Sequence, residues 1–181
     1  MVEVTESQAA IIACLDTAAV LDGMPAKLGA FRARVAPEEL LLIGPAGAAA
    51  DLLAHATAFL ERAGSAGLAI DVSDAWSVCT VSGADAGEVW ARLSENRLPD
   101  ARPAFLQGAI ASVPAKTIAG DGEIQMLTPS NLGHHVPHQV FAQCRDLAPQ
   151  AGMPRPFALR RAAAAAAVAE SAAPVRARVA S

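Results

Sequence analysis

The chain has 181 residues and a formal net charge of −4 at pH 7. This length excludes two large domains but is sufficient for one hydrophobic core. Fourteen basic residues stand against 18 acidic ones, so the chain as a whole lacks the positive charge typical of nucleic-acid-binding proteins, and we expect no nucleic-acid partner. Alanine accounts for 44 residues and buries little area, so we expect a thinly supplied core that gains stability from burial against partners.

The first predicted elements are a short helix and two strands. We expect the first 26 residues to form the helix and a linker that ends near Pro25. Phe31–Val35 has the period-two pattern of a half-exposed strand, and Leu40–Ile43 is a continuous apolar run typical of a buried strand. A turn at Pro37-Glu38 is expected to join them.

A long amphipathic helix is predicted next. Gly44-Pro45 opens it with proline in the first turn, and Gly64 is placed to end it. Seven residues form one apolar stripe at helical spacing. They are Ala49, Leu52, Leu53, Ala56, Phe59, Leu60 and Ala63.

A strand pair and a second helix follow. Leu68–Val72 and Trp76–Val81 predict strands that pair with each other around Ser73-Asp74. Ser82, with Asp85 three residues later, resembles a capping box. The helix that this box would open carries Val89, Trp90 and Leu93.

The last predicted elements are two strands and a third helix. Gly108–Ile118 and Glu123–Thr128 predict strands joined by a turn at Gly120-Asp121-Gly122. The helix that follows has one apolar face. Its members are Val136, Val140, Cys144 and Leu147.

This order of elements predicts an α+β fold in which helices cover one face of a mostly antiparallel sheet. The preferred topology is a split βαβ, ferredoxin-like layout. We expect three regions: an N-terminal helix and linker at 1–27, the α+β domain at 28–149, and an Ala/Arg-rich tail at 150–181.

The tail differs from the rest of the chain in charge. Residues 153–181 contain five Arg and one Glu, and Arg160-Arg161 precede six consecutive alanines. One interpretation is a frayed or disordered tail, because the alanine run has no large apolar side chains to hold it against a core. The other is a basic arm that orders against an acidic partner surface.

Cysteine usage and the N-terminus indicate a cytoplasmic location. Cys14, Cys79 and Cys144 are widely separated and form no CxxC spacing, so neither a disulfide framework nor a Cys-rich zinc site is predicted. The N-terminus lacks the basic start of a signal peptide. The longest apolar stretch, Ala9–Leu21, is too short to span a membrane and contains Asp16, so no membrane partner is expected.

A histidine cluster is the most visible candidate metal site. His134 and His138 are spaced i, i+4, with His135 beside them. No HExxH arrangement is present, Pro137 is expected to interrupt the helix, and the histidines lie opposite the apolar stripe. We therefore favour surface histidines and predict no metal.

Other polar candidates have structural explanations. Asp71 and Asp74 flank Ser73 at a strand end, where a carboxylate can bind a ligand or serve as a base, but turn formation explains them as well. Cys79 is predicted to be a buried, inert thiol. Trp76 and Trp90 are candidate core or interface anchors, and no catalytic residue is predicted.

Three segments of the chain carry a resemblance to a known family. Arg34–Ile43, the stretch Leu68–Trp76 and the helix start at Val81-Ser82-Gly83 resemble the gamma subunit of heterotetrameric sarcosine oxidase. That subunit is related to the folate-binding domain of the glycine-cleavage aminomethyltransferase. The segments Pro103–Lys116 and Ile124–Leu127 follow in the order expected of the family.

The resemblance implies a small, chiefly structural subunit of a complex that oxidises N-methylated amines and passes the one-carbon unit to tetrahydrofolate. It implies that FAD, FMN, NAD and tetrahydrofolate are bound by larger flavoprotein and folate-binding subunits, with no cofactor on this chain. Paired aspartates that follow a Gly-rich stretch in the transferase relatives are absent at Ala119–Glu123.

The leading hypothesis is therefore a non-catalytic subunit of such a hetero-oligomer. Its candidate partner-contact residues are Trp76, Trp90, Arg160 and Arg161. The alternatives are an independent tetrahydrofolate-binding protein that uses Asp71 or Asp121, and a His-cluster metal protein.

Overall fold

The computed structural model of the chain describes residues 1–27 and 29–158. In these ranges it contains ten strands and four α-helices. The strands are β1 Glu3–Leu15, β2 Phe31–Ala36, β3 Glu39–Pro45, β4 Leu68–Asp71, β5 Trp76–Ser82, β6 Ala104–Ile110, β7 Val113–Gly120, β8 Glu123–Pro129, β9 Gln150–Ala151 and β10 Arg155–Pro156. The helices are α1 Ala18–Gly23, α2 Ala49–Arg62, α3 Ala86–Leu93 and α4 His135–Gln143.

The long strand β1 organises the sheet. Strand order along the main path is β2-β3-β1-β5-β8-β7-β6, with antiparallel neighbours throughout. Residues 9–15 of β1 pair with β3, residues 3–7 pair with β5, and residues 12–15 pair with β4. The short strands β9 and β10 run parallel to the first half of β1. One strand therefore joins two half-sheets.

The two ends of this path approach each other. The rings of Phe31 in β2 and Phe105 in β6 have centroids 6.4 Å apart. Gln107 Nε2 donates a hydrogen bond of 2.8 Å to the carbonyl oxygen of Val35. The sheet is therefore curled into a nearly closed barrel.

The helices lie on the outside of this barrel. Successive side chains of a strand point to opposite faces. Ile12 packs with Leu52, Ala56 and Leu60 of α2, whereas its neighbour Ile11 packs in the barrel interior. On the other half-sheet, α3 and α4 cover the outer side chains of β5 and β8. The predicted α+β fold, with helices on one face of a mostly antiparallel sheet, is confirmed.

The strongest sequence patterns formed the expected elements. The helical stripe buries Leu52, Ala56 and Leu60, and Gly64, at φ +64°, follows the end of α2. The β2–β3 hairpin and α3 also form as predicted. The N-terminal region differs: the structure places the 13-residue strand β1 where a helix and linker were expected, with the six-residue α1 after it.

Other local predictions were wrong. β4 and β5 do not pair with each other, because each pairs with a different part of β1. A tight turn with positive φ at Ala111 and Ser112 divides the strand predicted over Gly108–Ile118. The capping box does not form, since Asp85 makes no side-chain cap hydrogen bond.

The first part of the predicted tail belongs to the folded body. Gln150 N and Gly152 N donate to the carbonyl oxygens of Val2 and Val4, and Phe157, only 1% exposed, enters the core. We call residues 150–158 the strap. Residues 159–181, including Arg160 and Arg161, lie outside the described residues. No helix within 1–27 or 29–158 has the length and apolar character needed to cross a membrane.

Candidate functional site

The barrel interior has a buried polar layer at one end. Thr5 and Ser7 lie on the same face of β1 as Ile11, which points into the barrel. The polar residues beside them on β5 and β8 likewise share the inward faces of Val78 and Leu127. All members are at most 8% exposed. They are Thr5, Ser7, Thr80, Ser82, Glu123 and Gln125.

The strap covers this layer and contributes polar groups to it. Ser7 Oγ and Thr80 Oγ1 are 2.7 Å apart, and Gln125 Nε2 donates to the carbonyl oxygen of Ala158 at 2.8 Å. Arg155 Nη2 lies 3.6 Å from Glu123 Oε2, an ion pair slightly too long for a hydrogen bond. Thr5 Oγ1 and Gln125 Oε1 have no hydrogen-bond partner within residues 1–27 and 29–158.

The polar layer was missed by sequence reasoning. Its signal is an alternation of hydrogen-bonding side chains at i and i+2, as in Thr5 and Ser7 or Thr80 and Ser82. Polar side chains at every second residue usually indicate a strand face that is exposed to solvent. Here the barrel and the strap bury that face.

The strand-end aspartate is part of a turn. Ser73 N and Oγ both donate to Asp71 Oδ1, at 3.0 and 2.6 Å, and Ile11 N donates to Ser73 Oγ at 2.9 Å. The turn interpretation is confirmed. Asp71 and Asp121 lie near opposite ends of β5. Asp71 comes before the first residue of β5, whereas Asp121 is next to Gly122, whose carbonyl oxygen accepts from Gly83 N just after the last residue of β5. The two aspartates therefore do not form a joint ligand site.

The histidines do not converge on a common point. His134 and His138 are exposed, and His135 Nε2 lies 2.8 Å from the carbonyl oxygen of Ala111. Pro137 lies in the first turn of α4 and does not interrupt it, because proline is tolerated there. Within the described parts of the chain, no three His, Cys, Asp or Glu side chains are grouped for a metal ion.

The three cysteines are buried, and their pKa values are raised. Burial raises the pKa of Cys79 to about 12 and that of Cys14 to about 11, and it also raises the pKa of Cys144. All three are free thiols, and the predicted burial of Cys79 is confirmed, which favours its predicted inert character.

The two tryptophans lie in different environments. Trp90 is 4% exposed and donates from Nε1 to the carbonyl oxygen of Asn96, so it anchors α3 within this chain. Trp76 is half-buried, and the Lys116 ammonium lies 4.4 Å from its ring centroid. The pair borders a shallow groove of about 440 Å³. Other lining residues are Gln107, Ser112, Pro114 and Pro129.

Comparison with solved structures gives the fold a known counterpart. A chain of heterotetrameric sarcosine oxidase from Corynebacterium sp. U-96 superimposes with a TM-score of 0.66 and 18% identity, over 80% of this chain and 84% of that one. The chain shares its fold with that protein.

A second likeness is to the aminomethyltransferase T of the glycine cleavage system from Bartonella henselae. Its TM-score is 0.58 at 15% identity, over 83% of this chain but only 47% of the transferase. Models of protein families and a search of curated proteins gave no match. At the level of fold, the resemblance found in the sequence is confirmed.

Proposed function

We propose that this chain is a small, non-catalytic subunit of a sarcosine-oxidase-like complex that oxidatively demethylates N-methyl amino acids. In this proposal FAD, FMN, NAD and tetrahydrofolate are bound by larger subunits, and the chain itself holds none of them.

One observation carries the proposal. The superposition with the heterotetrameric sarcosine oxidase covers a similar share of both chains. The matched chain is therefore of about the same length as this one. Correspondence along almost the whole of a small chain favours an equivalent subunit over a shared fragment of a larger enzyme.

The contacts of the candidate residues support a structural role. Asp71 stabilises a turn, Cys79 is a core thiol with its pKa raised to about 12, and Trp90 anchors α3. An active site needs a nucleophile, a base and an orienting group in mutual contact. These side chains instead serve the fold.

The proposal is tested by co-expression. The tagged chain is produced together with the proteins encoded by its neighbouring genes and is purified by affinity and size-exclusion chromatography. We expect one species that contains this chain and bound flavin. Elution of the chain alone, with no flavoprotein, would contradict the proposal.

Trp76→Ala provides a variant for the same experiment. Because Trp76 is half-buried beside an open groove, we expect its loss to weaken assembly without unfolding the chain. Phe141→Ala is a matched control, since Phe141 is an exposed aromatic residue on α4. Truncation after Ala158, which keeps the strap and its buried Phe157, is expected to weaken assembly if the basic tail is also a contact.

The alternative is an independent tetrahydrofolate-binding protein, and the likeness to the aminomethyltransferase favours it. Calorimetry of the isolated chain with tetrahydrofolate separates the two. Micromolar binding, about 8 kcal/mol, requires a formed pocket. A structural subunit is expected to give no heat of binding, and saturable binding would favour the alternative.

A further inference from the structure

The groove beside Trp76 lies at the end of the barrel away from the strap. β6 continues to Ile110 after Gln107 contacts Val35, one residue before β2 ends. The β6–β7 hairpin therefore extends past β2. The groove, of about 440 Å³, lies on this extension and is lined by residues of β5, β6, β7 and β8.

Strand register places the lining side chains on the inward face of the sheet. Lys116 is paired with Leu127, which packs in the barrel interior, so the two side chains share that face. Trp76 packs against the same interior cluster, and Pro129 is its direct partner on β8. Pro114 is two residues before Lys116 and points to the same side. The groove is therefore an apolar continuation of the barrel interior that contains one lysine.

Lys116 is the only charged residue among the described residues that line the groove. Its ammonium lies 4.4 Å from the centroid of the Trp76 ring and forms no ion pair with a carboxylate of residues 1–27 or 29–158. Pro114 and Pro129 have no backbone N–H to donate. Lys116 therefore supplies the charged hydrogen-bond donor of this surface.

Covering the groove would change the surroundings of this ammonium. In the proposed function Trp76 contacts a larger subunit, so the neighbouring Lys116 would lose water as the subunits assemble. A buried charge without a partner is strongly unfavourable, whereas a carboxylate in direct contact compensates for the lost hydration. A partner surface that offers only apolar groups would therefore bind this groove poorly.

We propose that the groove binds a segment of the larger subunit in which an Asp or Glu side chain is flanked by apolar residues. The carboxylate accepts hydrogen bonds from the Lys116 ammonium. The apolar residues pack on Trp76, Pro114 and Pro129. This inference rests on the proposed function and adds to it the chemistry of the partner segment.

A second copy of this chain is a poorer occupant of the groove. A symmetric contact brings the same surface of each molecule against itself, so the two Lys116 ammonium groups would approach each other. The described residues that line the groove include no carboxylate to separate them. Charge therefore favours a different chain.

Competition during assembly tests the charge contact. Wild-type and variant chains with different tags are produced together with the proteins encoded by the neighbouring genes. The complex is purified through a tag on the larger subunit, and mass spectrometry gives the ratio of the two chains. We expect Lys116→Met to be incorporated at about one tenth of the wild-type level or less, because it keeps the apolar stem and removes the charge. Lys116→Arg, which keeps the charge, should be incorporated about equally.

Lys27→Met is the matched control, since Lys27 is exposed and does not line the groove. It should be incorporated as well as the wild type. Equal or preferential incorporation of Lys116→Met would overturn the proposal, because it would show that an apolar group suits this position. Equal losses for Lys116→Met and Lys116→Arg would assign the effect to packing and overturn the charge contact.

Cross-linking of the assembled complex identifies the acceptor. A water-soluble carbodiimide activates a carboxylate, and an amine in contact with it displaces the resulting urea to form an amide bond. We expect mass spectrometry to find an amide between Lys116 Nζ and an Asp or Glu of the larger subunit. A cross-link of Lys116 only to another copy of this chain would overturn the assignment to the larger subunit.

The outcomes separate this inference from the proposed function. A complex that assembles but gives no cross-link at Lys116 would overturn the inference alone. Failure of the wild-type chain to form any complex would overturn the proposed function together with it.

Discussion

The two halves of β1 show how one strand serves two different interiors. Along residues 9–15 its inward side chains, such as Ile11 and Ala13, pack against Leu41 and Ile43. Along residues 3–7 its inward side chains are Thr5 and Ser7, in a layer that includes Glu123 and Gln125. The apolar half is packed by side chains of the sheet together with Phe157 of the strap, whereas the polar half is covered by strap residues such as Arg155. The comparison teaches that the apolar cluster, including Phe157, supplies most of the packing stability of the barrel interior.

The strap gives the largest expected effect. Among the strap residues, only Phe157 has a large side chain that is fully buried. Phe157→Ala should therefore lower the free energy of unfolding by about 4 kcal/mol, measured by urea denaturation. Met153→Ala, in the same segment but 83% exposed, should change it by less than about 0.5 kcal/mol. Equal small losses would mean that the strap does not contribute to the core.

The apolar half should respond strongly to a cavity. Leu41 is 1% exposed, and Leu41→Ala should lower the free energy of unfolding by about 3 kcal/mol, because it removes buried surface and leaves a void. Leu68→Ala is the matched control, at 52% exposure, with an expected loss below about 1 kcal/mol. If Leu41→Ala lowered the free energy of unfolding no more than Leu68→Ala does, the apolar half would not be stabilising the barrel.

The polar half should give changes of opposite sign. Thr5→Val removes a buried hydroxyl that has no hydrogen-bond partner among the described residues, and it should raise the free energy of unfolding by about 0.5 to 1 kcal/mol. Ser7→Ala breaks the 2.7 Å hydrogen bond to Thr80 and should lower it by about 1 kcal/mol. Denaturant curves of both variants check this, and destabilisation by Thr5→Val would indicate that its hydroxyl is bound to water or another group.

The smallest effect lies outside the barrel, where Arg92 of α3 binds Asp146 through two hydrogen bonds. These bonds hold the pKa of Asp146 below its ordinary value of 3.8. The contact with Arg92 therefore stabilises the fold when the pH is above the ordinary pKa of Asp146. This stabilisation is lost as the pH falls through the lowered pKa. An NMR titration should give a midpoint below 3.8 in the wild type that moves up towards 3.8 in Arg92→Gln. An unchanged midpoint in the variant would contradict the assigned cause.

The elements predicted from the sequence are those whose two faces differ. Leu52, Ala56 and Leu60 give α2 a helical period because only one side of that helix is buried. The β2–β3 hairpin and the turn at Gly122 follow from local patterns in the same way.

β1 was missed because both of its faces are buried along Ala10–Cys14 and because its inward side chains change from polar to apolar midway. This hides the period of two. The pairing of β4 and β5 depended on β1 and was wrong for that reason. The turn at Ala111-Ser112 has no glycine, asparagine or proline to indicate it, although both residues adopt positive φ.

The candidate site was predictable in its parts but not in its arrangement. The turn around Asp71 and the inert Cys79 follow from local chemistry. The polar layer depends on three strands and the strap, which are joined by pairings distant in sequence, so the local alternation of polar side chains does not by itself indicate that they are buried. The order of the sequence segments indicated the resemblance to sarcosine oxidase, and the superposition with that protein supports the resemblance at the level of fold.

The placement of β1 has a consequence for biosynthesis. β1 leaves the ribosome some 140 residues before its partner β10, which begins at Arg155. At roughly 5–20 residues per second, the contact between β1 and β10 forms roughly 7–30 s after β1 is made, whereas the apolar residues 9–15 of β1 meet their partner β3 much earlier. The strap side of the barrel is therefore the last part of the described sheet to close during translation.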